Sequence, residues 1–443
     1  MVEAIAAALG GTAWTVVFFV IALSVIVFVH EYGHYIIGRW SGIHSEVFSI
    51  GFGPVLFSRT DRRGTRWQVA AIPFGGYVKF LGDADASSVR QADVSGLSSD
   101  ERRHTMAGAP LWARAATVAA GPVFNFILTF GLLVGLAIFS GIPTEEPTVG
   151  TLRAFPFEGA SLQQGDVILA VEGQPTPDWT TFGDVTETLK GKAALSYTVR
   201  RGGDELTVSG PHPLAPVVGE VQIRSAAMDA GLQSGDVILK AGGKDVTYFD
   251  ELPDIVAASK GEPVSLSVWR AGKTFDVTLS PRIRTVDDGN GGFTERYLLG
   301  LYSGLFFEPA MQSVGPLDAV TGAGSGMWRM TTATFMGLWH MVNGDISSCN
   351  LSGAIGMAET AGDAATNGVE SFVGMLAILS FGVGLLNLFP IPILDGGHLV
   401  FHAWEAVTGR APSERALRVL MSIGLTVVLS IMIFGLSRDL LCT

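Results

Sequence analysis

Two histidines and a glutamate fall within five residues, His30-Glu31-Tyr32-Gly33-His34, directly after an uncharged apolar run. On a helix, positions i and i+4 share a face, so both imidazoles reach one metal ion. Glu31 lies beside that face, where a carboxylate takes a proton from water polarised by the metal. Such polar groups are costly at the end of an apolar span unless they bind something. A catalytic zinc takes three protein ligands and keeps a fourth position open. The third ligand must come from elsewhere, and a second polar cluster offers it: Asn387-Leu388-Phe389-Pro390-Ile391-Pro392-Ile393-Leu394-Asp395-Gly396-Gly397-His398. Asp395 is the first charge after residues 371–394, which carry none. The two prolines loosen a helix just before it and expose backbone groups, tolerable at membrane depth only inside protein or a cavity. His398 and His402 also stand at i, i+4 and are open as ligands instead of, or beside, Asp395. His44, His104, His212 and His340 have no partner at ligand spacing.

The elements that must position these groups are membrane helices. Of 443 residues, 48% are hydrophobic and 16% charged, lean for a soluble protein. Residues 4–29, 115–144, 371–394 and 419–437 contain no Asp, Glu, Lys or Arg. About 20 such residues cross the hydrocarbon core, so four spans are expected. The first has no basic start and runs into the histidines instead of a small-residue cleavage site, so it reads as a span and not as a removed signal peptide. The net charge of −12 belongs to the block between spans two and three: residues 145–370 hold 28 acidic and 15 basic residues, the rest 13 and 14. That argues against nucleic acid or anionic lipid as the partner of this block. Ten Lys and Arg lie between Arg39 and Arg114, and Arg410, Arg415 and Arg418 follow span three. Basic loops stay cytoplasmic, so both termini and the acidic block are expected outside. Spans one and three then run the same way, bringing His30, His34 and Asp395 to matching depth near the cytoplasmic face. Cys349 and Cys442 share the outer side and read as unlinked thiols.

The acidic block is a repeat. Gly165-Asp166-Val167-Ile168-Leu169 recurs as Gly235-Asp236-Val237-Ile238-Leu239, followed each time by a glycine turn, a helix-like stretch and a β-rich run. A period of 70 residues suits two small tandem domains. The pattern resembles PDZ domains, which capture extended peptides at a sheet edge. Expected bounds are 147–211 and 212–283, then a connector over 284–369 with an interfacial helix around 315–343. Between spans one and two, residues 67–72, 73–76 and 77–80 read as strand, turn and strand. A hairpin there, either solvent-exposed or dipping into the bilayer, is expected to take substrate as an added strand through Val69, Ile72, Gly75 and Gly76.

With these motifs the chain resembles the site-2 protease family of intramembrane metalloproteases, in its bacterial form with tandem PDZ domains. The likeness runs through His30–His34, Phe48-Ser49-Ile50-Gly51-Phe52-Gly53, Ile72-Pro73-Phe74-Gly75-Gly76-Tyr77-Val78-Lys79, Gly121-Pro122-Val123-Phe124-Asn125-Phe126, Asn350-Leu351-Ser352-Gly353 and Asn387–Gly397. Ala354 departs from it, where relatives have proline. The resemblance implies a polytopic α-helical fold with four spans, a membrane-associated β-hairpin and two α+β PDZ domains. It implies zinc on His30, His34 and Asp395, Glu31 as catalytic acid/base, and Asn387 holding substrate. It also implies a protein of the bacterial inner membrane that cuts anti-sigma factors or remnant signal peptides; a monomer is expected. Two alternatives share parts of the pattern: a membrane-tethered PDZ adaptor with a non-catalytic metal site, and a metal transporter.

Overall fold

The computed structural model describes residues 11–83, 98–157, 159, 161–222, 224–287, 293–346 and 353–441. Cys349, Cys442 and the stretch 350–352 singled out above lie outside the described residues. The chain divides into two compact units: Met1–Leu136 with Pro316–Arg329 and Ser352–Leu441, and Ala137–Gly315 with Met330–Leu351 and Cys442–Thr443.

In the first unit, four helices are long and apolar enough to cross a membrane: α1 (Gly11–Trp40), α2 (Leu111–Ser140), and the third and fourth over Val369–Asn387 and Arg415–Leu441. Between α1 and α2, strands β1 (Ser45–Thr60) and β2 (Arg66–Phe80) form a sheet whose register corrects the expected hairpin. Residues 66–72 and 76–80 do not pair with each other. Val47–Ile50 lie between them, with Phe48 opposite both Val78 and Trp67, and Ile50 opposite both Gly76 and Val69. The segment 55–60 closes the far side, Phe57 opposite Val69. The physical reason is that Phe48 fills the centre. It stacks on Trp67 at 4.3 Å and is buried with Tyr35, Ile36, Val78 and Ala113, which seats the sheet on both helices. Val69 therefore has a strand on each side, and strand addition there is unavailable. Among the described residues, 76–80 pairs on one side only, and its unpaired edge is the one nearer the helices.

The second unit carries the repeat. In one module β4 (Val167–Val171), β5 (Ala194–Arg201) and β6 (Asp204–Pro211) follow a short strand β3 (Val149–Leu152), with helix α3 (Trp179–Thr188) between β4 and β5. In the other, β7 (Val217–Val221), β8 (Val237–Ala241), helix α4 (Glu251–Ala258), β9 (Val264–Arg270) and β10 (Lys273–Leu279) repeat that order. The recurring aspartates do the same work to within about 0.1 Å. Asp166 accepts Arg201 Nε and Nη2 at 2.6 and 2.7 Å and Gln163 N at 2.8 Å. Asp236 accepts Arg270 Nε and Nη2 at 2.6 and 2.7 Å and Gln233 N at 2.9 Å. Each ties the loop before a central strand to the strand beside it.

The expected domain bounds are crossed by backbone pairing. After the second module the chain returns as β11 (Leu301–Gly304), which pairs with β7, and β12 (Phe307–Pro309), which pairs with β3. Residues expected in the connector thus complete both modules and satisfy otherwise bare strand edges. Val149, Ile168, Tyr197, Val217, Val237 and Phe307 share one buried cluster, so the modules pack against each other, while Ile238, Leu252, Leu266 and Leu279 belong to a second cluster inside the later module.

Helix α5 (Pro316–Asn343) falls where an interfacial helix is expected. A further helix, α6 (Ala354–Thr366), was not anticipated. Its small residues let it lie against α1: Trp14 Nε1 donates to Gly362 O at 3.2 Å, and Ala361 packs with Ala22 and Ile26. The third span, α7 (Val369–Asn387), also stops earlier than expected. Pro390 and Pro392 cannot continue a helix, and a new one, α8 (Asp395–Thr408), begins at Asp395. Asp395 is thus a first-turn residue of α8 and not the end of the span, and the basic loop expected after span three is helical as far as Thr408. The fourth span lies in α9 (Glu414–Leu441).

Candidate metal centre

His30 and His34 stand one turn apart on α1, with Nε2 atoms 3.2 Å from each other. Asp395 Oδ2 lies 3.1 Å from His30 Nε2 and 3.5 Å from His34 Nε2. Three donors mutually 3.1–3.5 Å apart fit a tetrahedral zinc, since ligands at about 2.0–2.1 Å from the ion are separated by roughly 3.3–3.4 Å. Their side chains are only 12–17% exposed. Oδ2 takes no properly directed hydrogen bond there, as expected of an oxygen aimed at an ion. The residues fit zinc.

The opposite ring edges are fixed by α2. His34 Nδ1 donates to Thr117 O at 2.8 Å. His30 Nδ1 lies 3.2 Å from the Asn125 side-chain amide. With Nε2 facing the metal, Nδ1 carries the proton and needs an acceptor. Asn125 Oδ1, buried and otherwise unpartnered, meets that need once the amide is turned about. The Asn125 carbonyl is held in turn by Ser380 and Thr129, linking α2 to α7. Gly121 completes the surface: a Cβ there would fall onto His34 Nε2 and His30 Cε1.

Glu31 is partly buried and takes a backbone hydrogen bond from Val78. Gly76 passes so close that a Cβ would lie 3.0 Å from Glu31 Cγ and 2.8 Å from Val27 Cγ1. The open 76–80 edge therefore runs beside the carboxylate. Gly75, at φ +129°, makes the bend before it, where only glycine is at ease. Val69 and Ile72 stand apart as 42% and 48% exposed apolar groups. A cavity of ≈ 400 Å³ joins His30, Glu31, His34, Gly76, Asn387 and Asp395. Asn387 lines it with its amide donated back to Val383 O at 3.0 Å.

His398 and His402 line the same cavity without joining the ligand set; among the described residues only His30, His34 and Asp395 group at ligand distance. Gly396 and Gly397 explain the motif around Asp395. A Cβ at either would strike the carbonyls of Leu388, Phe389 or Ile391, so the proline loop folds directly onto the start of α8 and fixes the carboxylate. Sequence reasoning missed Asn125, although an asparagine in an uncharged span is itself a signal. It also missed Thr117, whose contribution is a backbone carbonyl and leaves no trace in residue type.

Comparison with known proteins gives the family. The model of Peptidase family M50 matches residues 18–431. The chain is 35% identical to a candidate zinc metalloprotease of Agrobacterium fabrum over 443 residues, covering 98% of each chain. It is 34% identical to the regulator of sigma-E protease RseP of Salmonella typhimurium over 456 residues, covering 96% of this chain and 98% of that one. Among solved structures it is similar to a PDZ domain of the SdrC-like protein from Listeria monocytogenes, at 18% identity over 20% of this chain and 87% of that one, with a TM-score of 0.17. A match spanning four apolar helices and all three candidate ligands places the chain in Peptidase family M50, the site-2 proteases: it is a zinc metalloprotease of the membrane.

Proposed function

We propose that this protease hydrolyses peptide bonds in or beside the transmembrane segment of single-span membrane proteins, at the cytoplasmic side of the bacterial inner membrane. The observation that carries this is the convergence of His30, His34 and Asp395 beside Glu31 at the foot of uncharged spans. When bound there, zinc activates water and polarises the scissile carbonyl. Glu31 accepts the proton of the attacking water and delivers it to the leaving amine nitrogen. Thr117 and Asn125 keep both imidazoles oriented, and the cavity admits water.

A transmembrane helix hides its carbonyls in hydrogen bonds and must be drawn out before it is cut. The 76–80 edge supports a way to do so, by strand addition that lays an extended substrate past Glu31. Gly76 gives it room, and Asn387 is placed to bind its backbone after releasing Val383. Phe52, Leu56, Phe57, Val69, Ile72 and Phe74 are exposed and apolar, which suits a sheet tip immersed in lipid. The two modules, read as tandem PDZ domains on their repeated Gly-Asp-Val-Ile-Leu motif, would stand outside with the termini. Anti-sigma-factor-like proteins and remnant signal peptides are the substrates proposed, with no nucleic acid partner and the chain working as a monomer.

An adaptor has no use for a carboxylate partly buried beside the metal ligands, and a transporter has none for the strand edge at Glu31. The test is to co-express a single-span reporter with wild type and with Glu31→Gln. The wild type should shorten the reporter near its cytoplasmic membrane boundary. Glu31→Gln should retain zinc and lose at least 10²-fold in rate, the lower end of what a general acid–base group supplies. Equal cleavage by both proteins would overturn the mechanism.

A further inference from the structure

The helix that carries Asp395 has a second anchor far from the metal. Arg114 Nη2 donates to Glu405 Oε1 at 2.6 Å and Arg114 Nη1 to Glu405 Oε2 at 3.0 Å, a two-pronged pair. Arg114 lies three residues before Thr117 on α2, whose carbonyl orients His34. Glu405 lies ten residues after Asp395 on α8, about 15 Å along it at 1.5 Å per residue. Both side chains line the cavity, and at 16% and 21% exposure they are shielded from the screening that makes surface pairs weak.

We propose that Arg114 and Glu405 are positioning residues, a clasp that holds α8 against α2 and so sets the Asp395 carboxylate at the distance the two histidines require. The need for it follows from the chain before Asp395. Residues 388–394 are irregular and carry two prolines, so α8 does not inherit its direction from α7. The loop packing of Gly396 and Gly397 fixes where α8 starts, but one fixed point leaves a rigid rod free to pivot. Glu405 supplies the second point, at the other end of the rod. The point it grips belongs to α2, the helix that sets both imidazole rings. All three ligands are thereby referred to one scaffold. His402, one turn before Glu405, is kept uncharged by burial and the nearby guanidinium, so it does not compete with Arg114 for the carboxylate.

This inference rests on the zinc site proposed above. It is tested on the full-length protein by competing bound zinc against a chelator, and by separating kcat from KM on the single-span reporter. Arg114→Met and Glu405→Gln should each hold zinc about tenfold more weakly, the lower range for groups that orient ligands indirectly. In each, kcat should fall while KM stays near the wild-type value. The reversed pair, Arg114→Glu with Glu405→Arg, should restore zinc affinity to within about threefold, which an unspecific structural role would not give. Wild-type zinc affinity in both single variants, or a reversed pair no better than either, would overturn the clasp. Failure of the zinc site itself would show in the wild type, which would then hold no zinc.

Discussion

Gly121 and Gly76 matter for what they lack. At Gly121 the missing Cβ leaves the space that His34 Nε2 and His30 Cε1 occupy, and at Gly76 it leaves a gap between the sheet edge and Glu31. A methyl group at Gly76 would press on Ser49 O at 2.7 Å as well as on Val27 and Glu31, with nowhere to relax. Gly76→Ala should therefore lower cleavage by about 10- to 100-fold, the cost of misplacing a reacting group by roughly 1 Å. Zinc content should not change, because no ligand is touched. Metal analysis alongside reporter cleavage checks both, and unimpaired cleavage would mean that substrate does not pass this edge. His30, Glu31 and His34 were legible in the sequence because their geometry is local: one helical turn brings them together. Asp395 was legible as an isolated charge after a long uncharged run. Asn125 and the Thr117 carbonyl were not, since a hydrogen-bond partner about 90 residues away depends on which helix packs next to α1.

Among the elements, the spans and the tandem repeat could be read directly, because charge-free length and a recurring Gly-Asp-Val-Ile-Leu are signals within single segments. What could not be read was which segments share a sheet. Residues 67–80 alternate like a simple hairpin, yet Phe48 takes the place between the two arms. Likewise β11 and β12 join modules that end well before them, because an unpaired edge is satisfied by any strand the chain can return. The paired aspartates permit a prediction at this scale. Burial raises the Asp166 carboxyl, but Arg201 and Gln163 N more than offset it, leaving the group below its ordinary value of 3.8. A lowered carboxylate pKa adds stability above the unfolded value and loses it as pH falls through the folded one. Asp166→Asn should thus weaken the first module by about 2–3 kcal/mol at pH 7, the worth of hydrogen bonds to a charged group. The deficit should shrink below about pH 4, as wild type also becomes protonated. Amide exchange over residues 194–211 reads it, and a deficit that persists undiminished at pH 2 would contradict the assignment.

At the scale of the molecule, the chain is two units with different tasks. The first brings three ligands from one helix and a proline-bounded helix start to one point, beside a sheet whose edge, unpaired among the described residues, passes the general base. The second is a pair of modules that share a buried seam and a returning strand each, so destabilising one should be felt in the other. Everything attributed to the protease depends on a single ion shared by α1 and the start of α8. The most direct test is the zinc content of the purified full-length protein beside that of Asp395→Ala. The wild type should hold one zinc per chain. Asp395→Ala, with both histidines intact, should lose it to a chelator that leaves wild type loaded. One zinc per chain in Asp395→Ala, held as tightly as in wild type, would contradict the account.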